Sequence, residues 1–361
     1  MAKRNKVLIV GARGAIGWNL TEHFTALDDW DVVGSSRRAP TAATTADYIC
    51  VDLLDAEATK SAYSPLADVT HVIYAALLDK PDMAAAWVEK DHVDTNLSMM
   101  ANAIDALEAA GADLQNIAFL QGTKAYGVHL GPIKVPARER DAMHLPPSFY
   151  HAQQDFIFER QKGRSWSWTI YRPQIVCGLC PGAPMNVIAS IGVYCVISRE
   201  LGLPLRFTGN LYAGIVELVD ARLLAQAMAW GAINPSKSAN EIFNVSNGDV
   251  VDWNNLFQRL AEHFNMKLDR PQSLSLHAMM EDKAPVWDEI VKKYDLAPLS
   301  YEDVKGNWQA IDFAFRMGNQ EPPPIVSTIK LRQAGFHECR DSEDMFIKYI
   351  EEMQALRHLP A

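Results

Sequence analysis

The feature that most constrains this chain is Gly11-Ala12-Arg13-Gly14-Ala15-Ile16-Gly17, set between an apolar run, Lys6 to Val10, and a stretch with helical spacing, Ile16 to Leu27. Small residues let the backbone turn tightly and come close to a pyrophosphate. The amides of the following helix N-terminus then face the negative charge. Three glycines alone would read as a plain turn. Between a first strand and a first helix they predict the opening βα unit of a dinucleotide-binding sheet.

The rest of the first half follows that lead. Strands are expected at Asp31 to Gly34, Tyr48 to Val51, His71 to Tyr74 and Ile117 to Leu120, with a long helical stretch from about Ala84 to Ala110. A loop carrying Gly131-Pro132, Pro136, Pro146 and Pro147 precedes a helix from Tyr150 to Gln161 and a strand from Trp168 to Tyr171. Strands alternating with helices predict an α/β fold, a Rossmann-type doubly wound parallel sheet. After Gly178 the texture changes to apolar helices (Asn186 to Leu201) broken by Pro and Gly. The helix Asp220 to Trp230 and strand Glu241 to Val245 read as returning to the sheet. The expected division is therefore a nucleotide domain over 1–178 with 215–250, and a smaller, mostly helical substrate cap over 179–214 and 251–361.

The 361 residues are 48% hydrophobic and carry a net charge of −10, which argues against broad nucleic-acid or anionic-membrane binding. The apolar run behind the basic start is too short for a signal segment, and no run reaches the ~20 residues of a membrane span, so a cytoplasmic protein is expected. Cys50, Cys177, Cys180, Cys195 and Cys339 are an odd, sparse set that suits reduced thiols. Cys177-Gly-Leu-Cys180 has redox or zinc spacing, but no second pair completes a metal site, and the plainer reading is two partly buried thiols in a loop. No metal is expected.

The glycine spacing is the G-x-x-G-x-x-G variant of short-chain dehydrogenases, and Arg13, Ala15 and Ile16 lie within it. Where NAD-binding folds carry an acidic residue after the second strand, this chain has Ser36-Arg37-Arg38. Guanidinium groups present a fork of donors to phosphate oxygens, whereas a carboxylate would repel a 2′-phosphate. NADPH is thus favoured over NADH, the alternative being two solvated surface arginines. Asp52-Leu53 are expected to border the adenine, and Ala75-Ala76 to let the cofactor pass.

The proton-handling site departs from the ordinary pattern. In extended short-chain dehydrogenases a Ser lies four residues before a Tyr-Gly pair; before Tyr126-Gly127 that position is Gly122, and Lys124 follows two residues on. The usual catalytic tyrosine has a lysine four residues later, which lowers the phenol pKa. Four residues after Tyr150 stands the neutral Gln154, so Lys124 could supply the missing charge from the other side.

This combination resembles the progesterone 5β-reductase / iridoid synthase family of atypical short-chain dehydrogenases. The segments that carry the resemblance are the glycine-rich start, Arg37-Arg38, Gln121-Gly-Thr-Lys124-Ala-Tyr126, Ser148-Phe-Tyr150-His-Ala-Gln-Gln-Asp155, Tyr171-Arg-Pro173-Gln-Ile-Val-Cys-Gly178, Pro184-Met185-Asn186, and Phe243-Asn-Val-Ser-Asn-Gly248-Asp249 through Trp253. Ser148, His151 and Gln154 depart from the family's Asn, Tyr and Glu, and Leu77 stands where plant members have a pocket Trp. The resemblance implies NADPH-dependent reduction of an activated C=C bond in a small enone or enal. Tyr150 would donate to the carbonyl oxygen as an enolate forms, and Lys124 would add a positive field. Gln121, Gly122, Pro173, Ile175 and Val176 would border the cofactor, and Leu77, Tyr126, Phe149, Met185, Asn186 and Phe313 the substrate. His129, His144 and His151 read as loop or pocket-rim residues.

Two other functions share the fold. A nucleotide-sugar epimerase or dehydratase would need the Ser/Thr and Tyr-x-x-x-Lys set, against which Gly122 and Gln154 argue. A non-catalytic NADPH-sensing regulator would not need Lys124 and Tyr150. A homodimer would suit the fold, although no segment demands one.

Overall fold

The structure, a computed structural model, describes residues 4–40, 42–80, 87, 89–144, 148–180, 186–210, 214–317 and 323–361. Its centre is a seven-stranded sheet of β1 (Asn5–Val10), β2 (Trp30–Ser36), β3 (Asp47–Cys50), β4 (His71–Tyr74), β5 (Asn116–Leu120), β6 (Ser167–Pro173) and β10 (Glu241–Val245). The order is β10-β6-β5-β4-β1-β2-β3, and every pairing is parallel. This is the Rossmann arrangement expected from the sequence. The chain reverses direction across the sheet between β1 and β4, and the crevice at the carboxyl ends of these strands is where such sheets bind ligands.

The apolar runs of β1 and β4 are buried on both faces, as a sheet covered by helices requires. On one face the helices Ala15–Thr25 and Ala221–Ile233 pack together; on the other, Ala56–Tyr63, Lys90–Ala109 and Phe149–Gln161 pack in succession. The helix Ala56–Tyr63 is absent from the sequence expectation because it is short and poor in large apolar side chains; Asp55 caps it through Ala58 N. The long helical stretch expected from Ala84 is described only from Lys90 onward. The expected strand Glu241–Val245 does join the sheet, against β6.

The C-terminal half builds a separate apolar cluster around the helix Val187–Glu200, in which Trp253, Trp287 and Trp308 are fully buried. Short strands link it to the sheet: β7 (Ile175–Cys177) pairs with β9 (Leu218–Asp220), and β8 (Ile215–Val216) with β11 (Val251–Asp252). Cys177 therefore ends a strand rather than lying in a loop. Cys177 and Cys180 are both fully buried free thiols, and burial pushes the Cys180 thiol up to about 11. A proton-bound thiol is a poor nucleophile, and both side chains pack inside the fold. Among the described residues no helix is long and apolar enough to cross a membrane.

Candidate active site

Two of the three loop glycines are required by close approach. Gly11 has φ +90°, and a Cβ there would lie 2.6 Å from Ala76 N; a Cβ on Gly17 would lie 2.2 Å from Gly11 O. The first glycine lets the turn pass under Ala75-Ala76, and the third lets the helix seat on the strand end. Gly14 differs, since a Cβ there would meet only Gly11 O at 3.5 Å. Gly14 also precedes the helix Ala15–Thr25, whose first turn carries no side-chain cap and no acidic residue. Ala15 and Ile16 thus open a helix whose N-terminal amides and dipole are left for an anion.

Arg37 and Arg38 are exposed just beyond β2. Ser36 Oγ donates to the Arg38 carbonyl at 2.6 Å and lies 2.6 Å from the Tyr48 hydroxyl, so the backbone that carries both arginines is fixed. Arg13 is half-buried, and its carbonyl accepts from Cys180 Sγ at 3.4 Å. Asp52 is exposed. Leu53 points into the core, and its carbonyl accepts from Asn102 Nδ2 at 2.7 Å.

At the end of β5 the chain enters a tight turn, Thr123–Tyr126, that carries Lys124. Tyr150 lies in the first turn of Phe149–Gln161, which Ser148 caps by accepting from Tyr150 N at 3.2 Å. The two meet on an indole missing from the sequence reading. Lys124 Nζ sits 3.5 Å from the Trp87 ring centroid, and the Tyr150 ring stands edge-on to the same indole at 5.2 Å. Phe149, buried, packs against Trp87 at 4.7 Å. The resemblance expects a tryptophan where Leu77 stands; here an indole comes from Trp87 instead, a shift that no local pattern around Leu77 signals. Phe313 is 54% exposed, with its ring 5.9 Å from Lys124 Nζ.

The Tyr150 hydroxyl faces the position where ordinary relatives carry serine. A Cβ on Gly122 would lie 3.3 Å from Tyr150 Oη and 3.6 Å from the Pro173 carbonyl. Burial lowers the Lys124 pKa to about 8, partly countered by the Asp79 carboxylate. Burial first, and Asp79 second, push the Tyr150 phenol well above its usual range, with Arg172 opposing. The lysine therefore titrates near neutrality while the phenol keeps its proton. Asp79, also missed from sequence, has its own pKa raised by burial and lies 3.9 Å from His92 Nε2. Its signal in the sequence is only its place after β4.

Other residues expected at the site have internal roles. Gln121 Oε1 accepts from Arg172 Nε at 2.8 Å, while its Nε2 donates to the Tyr150 carbonyl and to Gln154 Oε1, each at 3.2 Å. Tyr126 donates its hydroxyl to Asn244 Oδ1 at 2.7 Å. Asn186 is buried and caps Val187–Glu200 through Ala189 N, so its side-chain oxygen serves the helix. Met185 lies outside the described residues. Pro173 is buried at the end of β6; Ile175 and Val176 are half-buried in β7, and Leu77 is half-buried after β4. His129, His144 and His151 stack edge-on in a column, with ring centroids 5.1 and 4.9 Å apart, and His129 lies 6.0 Å from Trp87.

The parallel sheet, the glycine turn and the polar pair at the end of β5 define a protein with the extended short-chain dehydrogenase/reductase fold. A UDP-glucose 4-epimerase structure matches with a TM-score of 0.72 over 99% of this chain and 100% of that one, at 12% identity. The NAD complex of the Thermus thermophilus UDP-glucose 4-epimerase matches with a TM-score of 0.66 at 18% identity, over 97% of this chain and 99% of that one. More specifically, the chain belongs to the PRISE family: the model of the PRISE-like Rossmann-fold domain matches residues 41–360. It is 31% identical to (S)-8-oxocitronellyl enol synthase of Catharanthus roseus, over 99% of this chain and 93% of that protein. It is 33% identical to 3-oxo-Δ(4,5)-steroid 5β-reductase of Arabidopsis thaliana, over 98% and 92%.

Proposed function

We propose that this protein is an oxidoreductase that reduces the activated C=C bond of a small α,β-unsaturated ketone or aldehyde with NADPH. The observation that carries the reading is the Trp87 indole shared by Lys124 and Tyr150, which holds a cation and a phenol at one end of β5. The relatives' names, a steroid 5β-reductase and an enol synthase, point to the same chemistry.

The residues fit a phosphorylated dinucleotide. The uncapped helix start behind Gly14 suits a pyrophosphate, and the two exposed guanidiniums of Arg37 and Arg38, with Ser36, suit a 2′-phosphate. Gly11, Arg13, Gly17, Ala75, Ala76 and Asp52 would line the adenosine half, and Gly122, Pro173, Ile175 and Val176 the nicotinamide half. When bound, NADPH supplies the hydride taken up at the substrate's β-carbon. The domain division follows: 1–178 and 215–250 hold the nucleotide, while 179–214 and 251–361 cover the substrate.

Tyr150, protonated through the neutral range, donates a hydrogen bond to the carbonyl oxygen where enolate charge collects. Lys124, cationic below about pH 8, lies against the indole on which Tyr150 also packs and adds a positive field. Fixed donors of this kind contribute roughly 3–4 kcal/mol each in a dry site. The α-carbon then takes a proton from water.

The test is NADPH consumption with 2-cyclohexen-1-one, small enals and saturated ketones, run on the wild type, Tyr150→Phe and Lys124→Ala. Enone turnover that drops about 100-fold or more in Tyr150→Phe is expected. Activity on saturated ketones alone would overturn the C=C assignment, and unchanged rates in both variants would overturn the site.

A further inference from the structure

We propose that Arg172 and Gln121 are positioning residues for Tyr150: a buried guanidinium, gripping the tyrosine's helix through one glutamine, takes over the electrostatic and orienting work of the absent Tyr-x-x-x-Lys lysine. The inference rests on the reading of Tyr150 as the hydrogen-bond donor to substrate.

The connections are short and continuous. Arg172, in β6, donates from Nε to Gln121 Oε1 at 2.8 Å. Gln121, at the end of β5, passes its own N–H groups to the Tyr150 carbonyl and to Gln154 Oε1. Gln154 occupies the position of the missing lysine, so the two side-chain amides bind the second turn of this helix as well as the first. The backbone is tied at the same place, because Gln121 N donates to the Tyr171 carbonyl at 2.9 Å. On the opposite side the guanidinium lies 4.8 Å from the Tyr126 ring, whose hydroxyl is anchored on Asn244. The phenol itself ends against Gly122, the residue that follows Gln121. Three strand ends and one helix start thus converge on one cation, and the orientation of Tyr150 follows from them.

The energetics favour a functional reason for the charge. Arg172 is 1% exposed, and its Nη1 has no hydrogen-bond partner among the described residues. Among the described residues no carboxylate lies within ion-pair distance of it. An incompletely paired buried cation is costly, and an apolar side chain of similar volume often packs there with equal or greater stability. A merely structural position would not favour arginine.

The charged groups that act on the phenol are Asp79, from the segment after β4, and Arg172, from β6; Lys124 shares the Trp87 indole with it, and His151, from the tyrosine's own helix, faces His144 and Arg172. Asp79 disfavours ionisation of Tyr150 and Arg172 favours it. Glu139, whose Oε1 accepts from Asn244 N at 2.9 Å, faces Arg172 from the far side.

The experiment compares the full-length wild type, Arg172→Met, Arg172→Lys and Gln121→Leu. In steady state, Arg172→Met and Gln121→Leu are expected to lower kcat on 2-cyclohexen-1-one about tenfold or more, because small misplacements of a reacting group cost that much. KM for NADPH should stay within about twofold. The thermal midpoint of Arg172→Met should be unchanged or raised, and Arg172→Lys should recover part of kcat. A second readout needs no turnover: 3-fluorotyrosine placed at position 150 reports phenol ionisation through its fluorine resonance. Its midpoint should move to higher pH in Arg172→Met and back in Arg172→Lys. An unchanged kcat, an unmoved fluorine midpoint, or a kcat loss matched by a lowered thermal midpoint in both Arg172→Lys and Gln121→Leu would overturn the proposal. If the wild type reduces no enone at all, the proposed function has failed, and the fluorine midpoint still decides the role of Arg172.

Discussion

A lysine poised near neutrality leaves a signature in the pH dependence of the reaction. Burial lowers Lys124 to about 8, whereas Tyr150 is pushed upward by burial and by Asp79. Of these two groups, the lysine alone titrates between pH 7 and pH 9. Its protonated form carries the positive field, and that form exists below its pKa, so activity is present at neutral pH and is lost as pH rises. With a pKa of about 8, about nine-tenths of Lys124 is cationic at pH 7 and about one-tenth at pH 9. If the neutral amine contributes nothing, kcat/KM for the enone falls about tenfold over that interval. The assay is initial NADPH oxidation at saturating NADPH and low 2-cyclohexen-1-one, in buffers of constant ionic strength. Lys124→Arg keeps its charge throughout, so its profile should be flat over the interval, whatever its absolute rate. Asp79→Asn removes the group that holds the lysine's proton, so the midpoint should move to lower pH. A wild-type profile that stays level from pH 7 to pH 9, or an alkaline decline of the same size in Lys124→Arg, would refute the assignment of the field to Lys124.

Other expectations follow from the same geometry. Gly122→Ala places a Cβ about 3.3 Å from Tyr150 Oη. The phenol must give way by a few tenths of an ångström, so kcat should fall about tenfold with little change in thermal midpoint. Arg37→Ala combined with Arg38→Ala should raise KM for NADPH at least about tenfold while leaving KM for NADH nearly unchanged; equal effects on the two would remove the phosphate argument. Gly17→Ala forces a Cβ against the Gly11 carbonyl, where 2.2 Å is available, and should destabilise the fold by about 1–3 kcal/mol, read from the urea midpoint. The buried thiols Cys177 and Cys180 should resist a thiol reagent in the native state while the exposed Cys50 and Cys339 react, as quantified by mass spectrometry.

The local sequence settled what depends on neighbours along the chain. Gly11 and Gly17 specify a turn because their need for space is a backbone matter, and the apolar runs of β1, β4, β5 and β10 specify strands because a sheet covered on both faces buries most of the side chains in them. Lys124 and Tyr150 were legible for the same reason, each being a named departure or match within a short motif. Long-range packing decided the rest. Trp87 becomes the floor shared by Lys124 and Tyr150 only through the tertiary contact of its indole with the turn after β5 and the helix Phe149–Gln161, and Asp79 acquires its influence on both by proximity in space. Gln121 and Asn186 sit in motifs that suggested ligand contact, yet one ties Arg172 to the tyrosine helix and the other caps Val187–Glu200. Spacing along a chain reports which faces must be buried; which buried polar group finds which partner depends on distances between strands that sequence order does not contain.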